Sequence, residues 1–162
     1  FWTAGPLPQP AVDTAFTWPA THANFDGWRT DDEHVFFDKD RTRPTRCWWL
    51  PWWPLEAGTY ELTATASLGT TASEGHPPSS LYVSLNGREV LGDIPLVSGT
   101  NAPLTFTLPE AAPIEVAINF TKAADLTLEG VTLRRLPTPA PVRPTDANAA
   151  SQAPGPLSAP TP

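Results

Sequence analysis

A single cysteine, Cys47, stands among 162 residues, so no intrachain disulfide can staple the chain and no thiolate cluster can hold a metal. A lone free cysteine is most often a small buried apolar group. That is the preferred reading of Cys47 beside Trp48, over a catalytic or intermolecular thiol. Methionine is absent and the chain opens at Phe1. This reads as a processed product or a fragment, with any signal peptide or membrane anchor expected upstream of Phe1. No stretch approaches the roughly 20 apolar residues of a membrane-spanning helix. Charge is sparse, at 17% of residues, and lopsided, with 17 acidic against 10 basic groups and a net charge of -7. Such a surface repels phosphate backbones and argues against nucleic acid as a partner.

Catalytic patterns are equally scarce. The three histidines, His22, His34 and His76, are scattered, with no His-x-x-x-His pair for zinc and no Gly-x-Ser-x-Gly elbow. Ser79 and Ser80 follow the turn-rich Gly75-His76-Pro77-Pro78 loop without an evident base to activate them. Carboxylates for glycoside hydrolysis exist, but that chemistry needs a cleft larger than a short sandwich usually provides. No catalytic residue is assigned, and the expectation is a protein that is not an enzyme.

Proline, by contrast, is abundant, at 21 residues where an average chain carries about 5%. Its uneven spread divides the chain into three. Residues 1–30 read as an irregular arm interrupted by Pro6, Pro8, Pro10 and Pro19. The arm also carries Trp2, Phe16, Trp18, Phe25 and Trp28, which a disordered linker would not, so it packs onto something. Residues 137–162 form a Pro/Thr/Ala-rich tail with almost no large apolar side chain, expected to be disordered. It would serve as a spacer or as a substrate for O-glycosylation. Residues 31–136 hold the apolar groups for one core.

That central block is strand after strand. Tyr60, Leu62, Ala64, Ala66 and Leu68 share one face of an extended segment, and Thr59, Glu61, Thr63, Thr65 and Ser67 the other. Leu81, Val83 and Leu85 repeat the pattern, and Asn86-Gly87 then supplies the positive-φ pair of a tight hairpin turn. Leu104, Phe106 and Leu108 form another inward set, as do Ile114, Val116, Ile118 and Phe120, with Glu115, Ala117 and Asn119 facing out. In the last strand Leu126 and Leu128 are out of phase with Val131 and Leu133. The slip at Glu129-Gly130 predicts a β-bulge, the alternative being that the strand ends at Gly130. Short strands at this spacing, with no 3.6-residue period, predict an all-β antiparallel sandwich of jelly-roll type.

The stretch from Arg46 to Leu55 places Trp48, Trp49, Trp52 and Trp53 within six positions. Adjacent residues of an extended chain point to opposite faces, so one of Trp48 and Trp49 should be core. The Pro51-Trp52-Trp53-Pro54 segment reads as a pre-organised loop. An exposed indole forgoes on the order of 2 kcal/mol of burial, so a partner is expected. Three compete: a sugar ring, a membrane interface met by the Trp48–Trp53 region, and protein, either another subunit or the chain's own arm. Asn119-Phe120-Thr121 also fits an N-glycosylation sequon.

Three segments resemble the galactose-binding-like jelly rolls of the carbohydrate-binding-module type. They are Gly58-Thr59-Tyr60-Glu61-Leu62-Thr63, the Leu81–Gly87 hairpin, and Leu126 to Leu133 with its acidic residue in an apolar run. The resemblance covers roughly residues 30–136. It implies a non-catalytic, extracytoplasmic recognition module; within one, the Trp loop makes Trp52 and Trp53, and secondarily Trp49, the candidates for stacking on a glycan, and Asp31, Asp32 and Asp38 are hydrogen-bonding candidates. It also implies a structural calcium, for which Glu129 matches the closing-strand carboxylate. The upstream candidates Asp31, Asp32, Glu33, Asp38 and Asp40 are not in an obvious family spacing. A surface ion-pair network with Lys39, Arg41, Arg43 and Arg46 is the preferred reading of that cluster. The alternative function is a structural subunit that docks into an envelope or membrane assembly through its arm and Trp loop.

Overall fold

The computed structural model describes residues 7–69 and 75–139. Trp2 and the tail from residue 140 lie outside the described residues. Alternation of apolar and polar side chains leaves each strand one face to bury, and the described strands bury it by forming two antiparallel sheets pressed together. The first sheet contains β1 (Ala15–Pro19), β3 (Arg29–Thr30), β4 (Val35–Phe37), β7 (Gly58–Leu68), β10 (Gly99–Thr100), β11 (Leu104–Leu108) and β13 (Leu126–Arg135). The second contains β2 (Asn24–Phe25), β5 (Thr45–Trp49), β6 (Trp53–Leu55), β8 (Ser80–Leu85), β9 (Glu89–Pro95) and β12 (Ala112–Phe120). The all-β sandwich expected from the sequence is the fold observed.

Long strands form the middle of each sheet and short ones share their flanks. β13 pairs along its length with β7, while its other side is divided between β4 and β1. β12 pairs with β8 on one side and with β5 and β6 in succession on the other. On the outer side of β7, Thr100 pairs with Thr65 and Leu104 with Leu62. Asn101 bridges that gap. Its side-chain Oδ1 accepts from the Ala64 N–H at 2.5 Å, and its own N–H donates to the Ala64 carbonyl at 3.2 Å.

The interior is a single cluster. Tyr60, Leu62, Ala64 and Ala66 of β7 and Leu126, Leu128, Val131 and Leu133 of β13 join Trp48, Val83, Ile114, Val116, Ile118 and Phe120 of the other sheet. Cys47 lies buried beside Trp48, and burial pushes its thiol far above the ordinary range. The predicted bulge is present: Leu128 pairs with Ala66 and Gly130 with Thr65, leaving Glu129 as the extra residue. The Asn86-Gly87 turn has φ of 51° and 65°, and the Arg88 N–H closes it on the Leu85 carbonyl at 3.0 Å.

The N-terminal segment packs onto the domain, as its aromatic residues required. It does so with more regular structure than its prolines suggested: β1, β2 and β3 all lie within residues 15–30. The reason is edge placement. Among the described strands β1 pairs with β13 alone and ends at Pro19, and a proline is tolerated on such an edge strand. Phe16, Trp18 and Trp53 then form an aromatic cluster with ring centroids 5.3–6.1 Å apart.

Candidate ligand-binding face

The second sheet has one face in the core and one facing away from it. Register across its strands aligns Asn24, Trp49, Ala117, Tyr82 and Asp93 in one row spanning β2, β5, β12, β8 and β9. Ala117 is fully buried yet stands outside the core cluster. Its two cross-strand neighbours in that row are Trp49 and Tyr82, so a small residue lies between two aromatic ones. The next row in one direction holds Glu115, Ser84 and Val90, and in the other Arg46, Asn119, Ser80 and Pro95.

Charge is built into this face. The Glu115 carboxylate, only 9% exposed, accepts from Arg46 Nη1 at 2.6 Å, while the Arg46 side chain remains 44% exposed. The Arg46 guanidinium lies 4.8 Å from the centre of the Trp49 ring. Burial pushes the Tyr82 phenol above its usual range, the Glu115 carboxylate adds to the rise, and Arg46 opposes it. Tyr82 therefore stands beside the ion pair.

Trp52 completes the arrangement. It is 53% exposed, and its indole lies against the β8–β9 turn: a Cβ on Gly87 would sit 3.7 Å from Trp52 Cζ2 and 3.8 Å from Glu115 Oε2. The Asn86-Gly87 turn, Trp52 and Glu115 thus meet at one end of the face. At the other end lies a shallow depression of about 340 Å³ lined by Pro77, Pro78, Ser80, Asp93, Pro95, Asn119 and Thr121. Asn119, the sequon asparagine, is exposed there. The face thus offers three aromatic rings, a fixed guanidinium–carboxylate pair and a polar hollow. Such a set can hold a flat, hydroxyl-rich ligand by ring contact and by hydrogen bonds of both polarities.

The sequence-derived candidates fare differently. Trp52 is exposed and Trp49 half-buried on this face, and Trp48 is the core member of its pair. Trp53 requires correction. It is 1% exposed, packed against Trp18, and its Nε1–H donates to the Pro8 carbonyl at 2.8 Å. β6 turns its side chain inward opposite Ile114, and the N-terminal segment covers it, so it has no free ring face for a ligand.

Asp31, Asp32 and Asp38 lie in turns flanking β4 of the other sheet and do not join Trp52. Asp31 Oδ1 accepts from the Glu33 and His34 N–H groups at 2.9 and 2.6 Å. The Glu33 bond is the chief cause that holds its carboxyl below the usual range, with His34 assisting. Asp38 Oδ1 likewise closes its own turn by accepting from the Asp40 and Arg41 N–H groups. Asp32 shares a depression of about 440 Å³ with Glu33, His22, His34 and Glu129. Glu129 is exposed, and among the described residues no three His, Cys, Asp or Glu side chains group as metal ligands. Part of the expected ion-pair network exists, in Lys39–Asp40 at 2.9 Å and Arg41–Asp38 at 3.8 Å. Arg46 instead crosses to Glu115.

Sequence reasoning did not single out Tyr82, Arg46 or Glu115 as a site. The available signal was an outward glutamate and an outward tyrosine in otherwise apolar strands. Their meeting depends on register between segments far apart in the chain.

No protein-family model matches the chain, and no curated protein matches it. Among solved structures it is similar to the C-terminal CBM6 of LamC, a marine laminarinase from Zobellia galactanivorans. The identity is 9% and the TM-score 0.48, over 75% of this chain and 99% of that one. It is also similar to the second N-terminal cellulose-binding domain of a Cellulomonas fimi β-1,4-glucanase C, at 16% identity and a TM-score of 0.43, covering 82% and 94%. A third is the Podospora anserina GH26-CBM35 β-(1,4)-mannanase, at 15% identity and a TM-score of 0.38, covering 80% of this chain and 29% of that one.

Proposed function

We propose that the chain is a non-catalytic carbohydrate-binding module that works outside the cytoplasm, with its ligand lying across the outer face of the second sheet. The observation that carries this reading is the aligned row Trp49, Ala117, Tyr82, with the Arg46–Glu115 pair beside it. Trp49 and Tyr82 are two strand spacings apart, about 9–10 Å, which is about the length of a disaccharide unit. A glycan laid across the strands would rest its rings on Trp49, Tyr82 and Trp52. Arg46 would donate to its hydroxyls, and Asp93 and Asn119 would extend the contacts at the far end. Pre-organisation favours this arrangement: the ion pair already holds Glu115 and Arg46 in place, so little side-chain freedom is lost on binding.

The same geometry weighs against docking through the aromatic segment as a structural subunit. Phe16, Trp18 and Trp53 are used up in contacts within the chain. The test is titration with neutral gluco-, laminari- and manno-oligosaccharides, followed by tryptophan fluorescence and calorimetry. The expectation is a blue shift with at least one of them. A tenfold or greater loss should follow in Trp52→Ala and in Glu115→Gln. Silence across such a panel, with the protein folded, would remove the proposal.

A further inference from the structure

A second exposed indole lies away from that face. Trp28 is 50% exposed and is fixed by its backbone: its N–H donates to the Phe36 carbonyl at 2.7 Å. Gly27 permits that approach, since a Cβ there would come within 2.8 Å of Val35 Cγ1 and 3.1 Å of the Phe36 carbonyl. The Arg41 guanidinium stacks 4.0 Å from the centre of the Trp28 ring. Beside them is a depression of about 270 Å³ lined by Asp26, Gly27, Trp28, Arg41, Thr42 and Arg43. None of these residues belongs to the sheet face described above.

The charge here runs against that of the whole chain. In a protein of net charge -7, two guanidiniums face one carboxylate in this hollow. Among the described residues Arg41 has one ion-pair partner, Asp38, at 3.8 Å, and that carboxylate already accepts from two backbone N–H groups. Arg43 makes no ion pair or hydrogen bond among the described residues. Arg29, stacked 4.3 Å over Phe36 just outside the hollow, makes no ion pair among them either. An arginine fork matches a carboxylate or sulfate through paired hydrogen bonds, and a half-exposed indole offers a flat apolar surface next to it.

We infer that the hollow beside Trp28 is a separate binding site for an acidic sugar, a uronate or a sulfated residue. The sugar ring rests against the exposed indole, its anionic group lies between Arg41 and Arg43, and Asp26 accepts from a ring hydroxyl. This site does not depend on the glycan reading of the sheet face. Either one can fail while the other stands.

The test uses the full chain with an oligogalacturonate, a heparin-derived oligosaccharide, and methyl-esterified oligogalacturonate as the uncharged counterpart. Calorimetry should show binding of at least one acidic probe, weakened tenfold or more in Arg43→Gln and in Trp28→Ala and weakened by added salt. Trp52→Ala should leave it unchanged. Arg43 is exposed and makes no ion pair or hydrogen bond among the described residues, so its replacement keeps the fold, as circular dichroism would confirm. Equal binding of the methyl ester, binding of neither acidic probe, or no effect of Arg43→Gln would overturn the inference. So would an interaction confined to phosphatidylserine vesicles, which would point to a membrane contact.

Discussion

Neighbouring side chains of an extended chain point in opposite directions, and at Trp52 and Trp53 this sends one indole to solvent and the other into the core. The sequence shows two adjacent tryptophans between prolines but not which one turns inward. That is decided by register: Trp53 lies opposite Ile114, and Pro54 opposite Pro113, two residues with no N–H to give. Trp53→Ala should therefore cost about 3–5 kcal/mol of stability, and Trp52→Ala no more than about 0.5 kcal/mol. Urea unfolding of the two variants checks this, and the reverse ranking would contradict the placement. Arg46 invites a similar comparison. Arg46→Ala takes the guanidinium donor from the Glu115 carboxylate, 9% exposed, and should cost about 1–3 kcal/mol. Adding Glu115→Ala to that variant should restore part of the loss, because the two residues act as one unit.

Strand β13 contains a feature that was legible and a consequence that was not. The phase slip between Leu128 and Val131 marked the bulge, because a one-residue shift is the only way both apolar pairs can face the core. The reason a glycine sits there emerged only with the partner strand. A Cβ on Gly130 would stand 2.8 Å from the Trp18 carbonyl oxygen of β1, a backbone atom that cannot swing away. Gly130→Ala should push β1 outward and loosen Trp18 and Trp53 behind it, at a cost of about 1–3 kcal/mol. Thermal unfolding would register the loss. Hydrogen exchange should localise it to residues 15–19, and unchanged protection there would mean that β1 is not held in this register.

Across the whole molecule, the two-residue rhythm from Tyr60 to Leu133 disclosed the sandwich, because burial parity is a local property of each strand. The candidate face stayed hidden because it is a non-local one: Arg46 and Glu115 are 69 residues apart, and only the pairing of β5 with β12 brings them together. Charge at this scale also sets how stability responds to pH. Asp31 is held below its ordinary range chiefly by the Glu33 N–H, and Asp40 by hydrogen bonding to Lys39. A carboxylate depressed in the folded state contributes stability above its unfolded pKa and loses it as pH falls through the folded value. Lys39 is raised, first by its hydrogen bond to Asp40, so its contribution is complete below the unfolded value and fades as pH climbs through the folded one. These groups therefore give a plateau bounded near pH 4 in acid and about pH 10 in base. The melting temperature should be flat across that window and fall at both ends, with small limbs because both carboxylates are exposed and the Lys39 side chain is partly so. Asp40→Asn removes one partner of the Lys39 pair, so it should shrink both limbs together in a melting series against pH. A change in only one limb would show that Lys39 and Asp40 do not act as a pair.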